Sequence, residues 1–205
     1  MTVPTVGSAG SASLLLVSDT HVPVRAKDLP APLWAAVESL GADDLVVHAG
    51  DWMDPGLLDA LEARAPRVVG VWGNNDGPEL RERLPEVARF EVGGLRFAVT
   101  HETGAAQGRE RRMAARFPDV DVLVFGHSHI PWDTTASRPD NTVASRPDNT
   151  VASRPEATAA PTGLRLLNPG SPTDRRRQPT HTWMTATVQE GELRRVDLVH
   201  LEDLG

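Results

Sequence analysis

Asp19 and His21 stand two residues apart in SDTH, at the end of an apolar run. His127 and His129 repeat that spacing in GHSH, after another such run. Between the two pairs fall Asp51 in AGD, Asn74 in GNND and His101 in VTHE, each again closing an apolar stretch. Carboxylates, imidazoles and a carboxamide are the side chains that coordinate divalent cations. Singly, each has a plainer explanation. A lone Asp after a strand usually serves a turn or a helix cap, and a lone His is usually a satisfied surface or core residue. The joint pattern is harder to reach by accident. Five strand ends carry ligand-type groups, and small glycines precede three of them, at Gly50, Gly73 and Gly126. These groups would meet if the runs form neighbouring strands, because sites in α/β sheets gather beyond the carboxyl ends of the strands.

The elements needed for that arrangement can be read along the chain. LLLVSD (14–19), DLVVHAGD (44–51), RVVGVWGNND (67–76) and VDVLVFGHSH (120–129) are continuous apolar runs, as suits strands covered on both faces. Helical spacing lies between them. Leu33, Trp34, Val37 and Leu40 follow Pro32 and stop at Gly41, and Leu57, Leu58 and Leu61 follow Pro55. The alternation predicts βαβ units. FEVGGLRFAV (90–99) predicts a hairpin about Gly93-Gly94, and residues 105–117 an arginine-rich helix. Strands are expected at 164–168, 182–188 and 193–201, so the first half reads as α/β and the second as mostly β.

Composition sets outer bounds. The 205 residues are 40% hydrophobic and 24% charged, enough for one globular domain with a sizeable core. A net charge of -7 argues against a general grip on nucleic acid or an anionic membrane. It would also repel a phosphorylated ligand unless a bound cation reversed the sign locally. The absence of cysteine excludes disulfides and thiolate metal sites, and is compatible with a cytoplasmic location. A signal peptide is not expected from the small, polar N-terminus, which lacks a basic region, and no apolar run approaches a bilayer span. ASRPDNTV occurs at 136–143 and 144–151, with a decaying third copy from Ala152. The proline in each unit forbids continuous helix, so a surface loop insertion over about 134–162 is expected, together with a flexible N-terminus over 1–12.

D-x-H, G-D, G-N-x-D, a single His and G-H-S-H, in that order, resemble the calcineurin-like metallophosphoesterases, and NPGSP (168–172) resembles their small bacterial single-domain phosphodiesterases. The resemblance covers about residues 14–200, apart from the repeat. It implies a four-layer α-β-β-α sandwich with two divalent metals about 3.5 Å apart at the strand ends. Asp19, His21 and His129 would bind one metal, Asn74, His101 and His127 the other, and Asp51 would bridge both together with a water or hydroxide. Mn2+ is the expected ion, with Fe, Ni2+ or Zn2+ as alternatives that suit the same ligand types. The implied activity is hydrolysis of a small phosphoester, most simply a diester. A phosphomonoesterase and a non-catalytic interaction scaffold use the same core, and self-association is left open. The family often has His where this chain has Asn75, and commonly Gly where it has Thr100. Asn75 is therefore expected to contact phosphate by hydrogen bonding rather than to protonate a leaving group. Asp76 is expected to support the site from behind the ligands. His48, inside an apolar run, reads as a buried histidine, and Arg175, Arg176 and Arg177 as a solvated charge run that could alternatively hold a second phosphate.

Overall fold

A computed structural model describes residues 5–6, 11–137 and 163–204. The elements run β1 (Thr5–Val6), β2 (Ser11–Val17), α1 (Ala31–Glu38), β3 (Leu45–His48), α2 (Pro55–Arg64), β4 (Val68–Gly70) and α3 (Pro78–Arg83). They continue as β5 (Val87–Val92), β6 (Leu95–Thr100), α4 (Arg109–Arg116), β7 (Val122–Phe125), β8 (Trp132–Ser137), β9 (Gly163–Asn168), β10 (Thr182–Gln189) and β11 (Glu192–His200), and a 3-10 turn over Leu201–Leu204 follows.

The expected βαβ units form. Strands β2, β3 and β4 pair in parallel, and β10 and β11 extend the sheet antiparallel on the β2 side, giving the order β11-β10-β2-β3-β4. A second sheet has the order β1-β5-β6-β7-β9-β8. The β5–β6 hairpin turns at Gly93 and Gly94, both with positive φ, as a two-residue hairpin turn requires.

Alternation along the strands sorts the core into layers. Leu14, Leu16, Leu45 and Val47 face Phe97, Val99, Val122 and Val124 between the two sheets. The opposite face of the first sheet sets Leu15, Val17 and Val46 against Leu33 and Val37 of α1 and Leu57, Leu58 and Leu61 of α2. The opposite face of the second sets Ala98, Leu123, Phe125, Leu164 and Leu166 against Met113, Ala114 and Phe117 of α4. Both sheets are thus covered on both faces, in a four-layer α-β-β-α sandwich. This is why the strands read as unbroken apolar runs.

Several boundaries differ from expectation. The fourth helix begins at Arg109, not at 105, because Gly108 enters it from the left-handed region. Ser11 and Ala12, expected in a flexible N-terminus, open β2 and pair with Gln189 and Val188. Strand β8 was hidden by its polar composition and by the repeat, whose first two residues it includes. It carries the chain through 134–137, the first part of the expected loop, by pairing with β9. The rest of the repeat lies outside the described residues.

The β8–β9 register has a testable result. Ser137 pairs with Gly163, so the two strand ends adjoin. Replacing residues 138–162 by a two-residue Asn-Gly turn should therefore keep the sheet. Loop-closure entropy changes by ~0.6 kcal/mol per doubling of length, so this shortening should raise Tm by several degrees. A large loss of Tm would show that the segment packs on the fold.

Candidate metal centre

The carboxyl ends of β2, β3, β4, β6 and β7 converge, and each delivers its ligand-type residue at the turn that follows. Five of these residues hold left-handed backbone: Asp19 (φ 54°), His21 (46°), Asp51 (62°), His127 (72°) and His129 (57°). This conformation costs a non-glycine residue on the order of 1 kcal/mol, and such outliers cluster at functional sites. Backbone hydrogen bonds hold the turns together. Asp19 N–H donates to the Gly50 carbonyl at 2.9 Å and His21 N–H to the Asp51 carbonyl at 3.0 Å.

The side chains fall into two groups around Asp51. In the first, Asp19, His21 and His129 are buried and offer ligand atoms within 4.8 Å of one another. His129 Nε2 lies 3.3 Å from Asp19 Oδ1 and 3.2 Å from His21 Nε2. In the second, the Asn74 Oδ1 atom lies 3.1 Å from His101 Nε2 and 2.8 Å from His127 Nδ1. The Asp51 Oδ2 atom stands between the groups, 3.5 Å from His21 Nε2 and 3.4 Å from His101 Nε2.

The protonation pattern of the imidazoles shows what this nest suits. His101 Nδ1 lies 2.7 Å from the Ala49 carbonyl, and His129 Nδ1 lies 2.5 Å from the Asp174 carbonyl. A carbonyl can only accept, so each Nδ1 carries the hydrogen, and in the neutral ring each Nε2 turns a lone pair inward. Those lone pairs face carboxylate and carboxamide oxygens. Converging acceptors repel unless a cation lies among them, so the donor set fits divalent metal.

Burial shapes the charge. It pushes Asp19 up to about 7, against the opposing effects of the nearby His101 charge and the Ser18 hydrogen bond. It lowers His129 to about 4, which leaves that ring neutral at pH 7 and free to coordinate. Burial also works against ionising Asp51, but the hydrogen bond from His101 and two from Asn75 prevail, and the carboxyl is held below its ordinary range. The same contact holds His101 above its ordinary value despite burial, so without metal a second proton on Nε2 takes the place among these oxygens that a cation would fill. Bound dications would keep both carboxylates ionised and make the centre of this acidic chain locally positive.

The calcineurin-like phosphoesterase superfamily domain matches residues 13–191. The chain belongs to this family. A Methanothermobacter thermautotrophicus protein named "probable metallophosphoesterase" is 37% identical over 121 residues, which is 57% of this chain and 66% of that protein. A phosphodiesterase of Methanocaldococcus jannaschii is 27% identical over 127 residues, 56% of this chain and 71% of its own length. The solution structure of a Thermotoga maritima protein superposes with a TM-score of 0.63 at 28% identity, over 93% of this chain and 99% of that one. The matched region thus spans slightly under two thirds of the Methanothermobacter relative.

Within this family fold, the polar residues around the centre separate into those the sequence pointed to and those it did not. Asn75 meets the central carboxylate. Its backbone N–H donates to Asp51 Oδ1 at 2.9 Å and its side-chain amide to Asp51 Oδ2 at 2.7 Å, so it clamps the central carboxylate. Asp76 sits behind, accepting backbone N–H bonds from Gly73 (2.7 Å), Met53 (2.8 Å) and Asp51 (3.1 Å). It ties the turn after β4 to the turn after β3. His48 is fully buried, stacked 3.5 Å from the Trp52 ring and bonded to Thr20 Oγ1 at 3.1 Å, so it belongs to the core. Arg176 is exposed, and its Nη1 comes within 3.5 Å of the His127 carbonyl.

The supporting contacts that sequence reasoning missed come mainly from two places. Ser18 Oγ donates to Asp19 Oδ2 at 2.7 Å. The loop after β9 is fastened beneath the site, with Ser171 Oγ donating to the Asp19 carbonyl at 2.7 Å and Thr173 Oγ1 to the Thr20 carbonyl. The polar run after NPG was the available signal for that loop.

Two glycines are demanded by close approach. A Cβ on Gly73 would lie 2.2 Å from Asp51 Oδ1, and one on Gly126 would lie 2.0 Å from Ser18 Oγ. Gly73→Ala should therefore displace the central carboxylate, cost about 1–3 kcal/mol of stability and strip bound metal. Unchanged Tm and metal content would contradict the geometry.

Proposed function

We propose that the protein is a binuclear metal-dependent phosphodiesterase acting on a small phosphoester. The observation that carries this reading is the position of Asp51 Oδ2, within 3.5 Å of the imidazole nitrogens of both groups. One carboxylate can then serve two cations. Asp19, His21 and His129 would hold the first and Asn74, His101 and His127 the second. Two divalent ions so held supply a water nucleophile at neutral pH and draw charge away from phosphorus. Mn2+ is the proposed occupant, with Fe, Ni2+ or Zn2+ as chemically suitable alternatives.

The chain's own residues do the positioning. Asn75 aims the Asp51 carboxylate, and Asp76 fixes the two turns that carry Asp51 and Asn74. His127 has a side chain 51% exposed, with Glu102 Oε1 at 3.5 Å, so the second group faces the side from which an ester arrives. The scaffold alternative needs none of the seven ligand positions, and their convergence on one carboxylate speaks against it. No described helix is long and apolar enough to cross a membrane. A cytoplasmic location is part of this proposal and rests on the cysteine-free composition.

The test is metal analysis of purified protein, stripped and reloaded with each candidate ion, alongside assays on bis(4-nitrophenyl) phosphate and 4-nitrophenyl phosphate. Two ions per chain and faster diester turnover are expected. A protein with two ions bound and no diester turnover with any of them would overturn the assignment, and faster monoester turnover would favour the phosphomonoesterase.

A further inference from the structure

Beside Asn74 and His101 lies a cavity of about 320 Å3. Small-molecule sites begin at about 300 Å3, so this one accommodates one arm of an ester rather than a polymer. Its lining includes Trp72 and Met113, the hydroxyl-bearing Thr103, and three charged residues, Glu86, Glu102 and Arg116.

Trp72 is braced in place. The Arg81 guanidinium sits 4.2 Å from the indole centroid. That guanidinium also donates to the carbonyls of Asp76 (2.8 Å), Asn74 (3.2 Å) and Gly73 (3.3 Å), the turn that carries the second group's carboxamide. A fixed cation thus backs an aromatic wall next to the metal centre. Aromatic walls of this kind stack flat rings with little dependence on ring identity. Hydroxyl groups on the same ligand would find acceptors in Thr103 and the two carboxylates. Two carboxylates against one guanidinium leave the lining net negative, which opposes a second anionic group.

We infer that this cavity receives one alcohol arm of the phosphodiester and selects an arm that is flat, uncharged and hydroxyl-bearing, such as a nucleoside. The inference rests on the phosphodiesterase reading above, since it places the arm beside Asn74 and His101 when the phosphorus lies at the centre. It also reconciles the acidic chain with a nucleotide-like substrate, because the cavity meets the neutral nucleoside and the metal centre meets the phosphate.

Two measurements on the metal-loaded protein test it. The first is calorimetric titration with adenosine and thymidine, with methyl riboside as the control that keeps the hydroxyls and lacks the flat ring. Wild type should bind the nucleosides in preference to the control, and Trp72→Leu should bind them about tenfold more weakly, the scale of one lost stacking contact. The second is kcat/KM for thymidine 5′-(4-nitrophenyl) phosphate against ethyl 4-nitrophenyl phosphate. Wild type should favour the nucleoside ester by at least about tenfold, and Trp72→Leu should lose most of that ratio. If Trp72→Leu does not fold, competition in wild type decides: adenosine should inhibit turnover of the ethyl ester competitively and methyl riboside, which lacks the flat ring, should not. Equal kcat/KM for the two esters, together with no nucleoside binding, would overturn the inference. Absence of turnover on every ester would count against the phosphodiesterase reading instead, and the nucleoside titration would still decide the cavity.

Discussion

Asp51→Ala is expected to lose most of both divalent ions and at least ~10³-fold of phosphodiester kcat/KM, the several kcal/mol that metal polarisation supplies. The expectation follows from where its carboxylate lies. Asp51 Oδ2 approaches His21 on one side and His101 on the other, so its removal takes a ligand from both groups. It also leaves the Asn75 amide without its acceptor, and two converging sets of lone pairs without the shared anion. Removing His127, which is half exposed and lies in the second group, should act more locally and leave the first ion in place. Metal content per chain, measured in both variants after equilibration with Mn2+, separates a bridging role from a peripheral one. An Asp51→Ala protein with two ions and wild-type turnover would end the proposal.

The second large effect concerns the leaving group. The family often has a histidine at the position of Asn75, and here the amide is engaged with Asp51. Asparagine cannot supply a proton at neutral pH. The Asp76 carboxyl next to it is occupied as an acceptor by three backbone N–H groups. An alkoxide must then leave without help from this turn, whereas a nitrophenolate barely needs it. Across diesters of rising leaving-group pKa, kcat/KM should fall steeply, with alkyl esters ~10²–10⁴-fold below activated aryl esters, the range general acid catalysis would otherwise recover. Asn75→Ala should lower every member of the series by a similar ~10–100-fold, because it loosens the carboxylate that orients the centre and removes no proton donor. A flat series in wild type, under conditions where chemistry limits the rate, would show that another group provides the proton.

The sequence made the strands and ligand positions legible because buried strands have so few alternatives. LVVH of β3 and VLVF of β7 are covered on both faces, so they appear as unbroken apolar runs, and the polar residue that ends each run marks the sheet's carboxyl edge. What lay hidden was carried by the backbone or by distant partners. The carbonyls of Ala49 and Asp174 orient His101 and His129, yet any residue type could offer a carbonyl at those positions. Ser171 meets Asp19 across 152 residues of chain, and no local pattern encodes such a contact. The contact of Asn75 with Asp51 was hidden for a related reason. It crosses from the turn after β4 to the turn after β3, and local sequence does not encode that approach. Strand β8 was missed because WDTTAS lies at the sheet edge, where solvent permits a polar strand.

The closing of β8 and β9 at Ser137 and Gly163 also bears on how this chain can change over generations. The connection joins adjacent ends of an edge hairpin, so its length does not set the β8–β9 register. Gaining or losing a whole eight-residue unit there alters loop-closure free energy by well under ~1 kcal/mol. Through loop closure alone, copy number at this point is close to invisible to selection for folding. Related chains can differ in it freely, and a unit that acquires a use can be kept without renegotiating the enzyme beneath it.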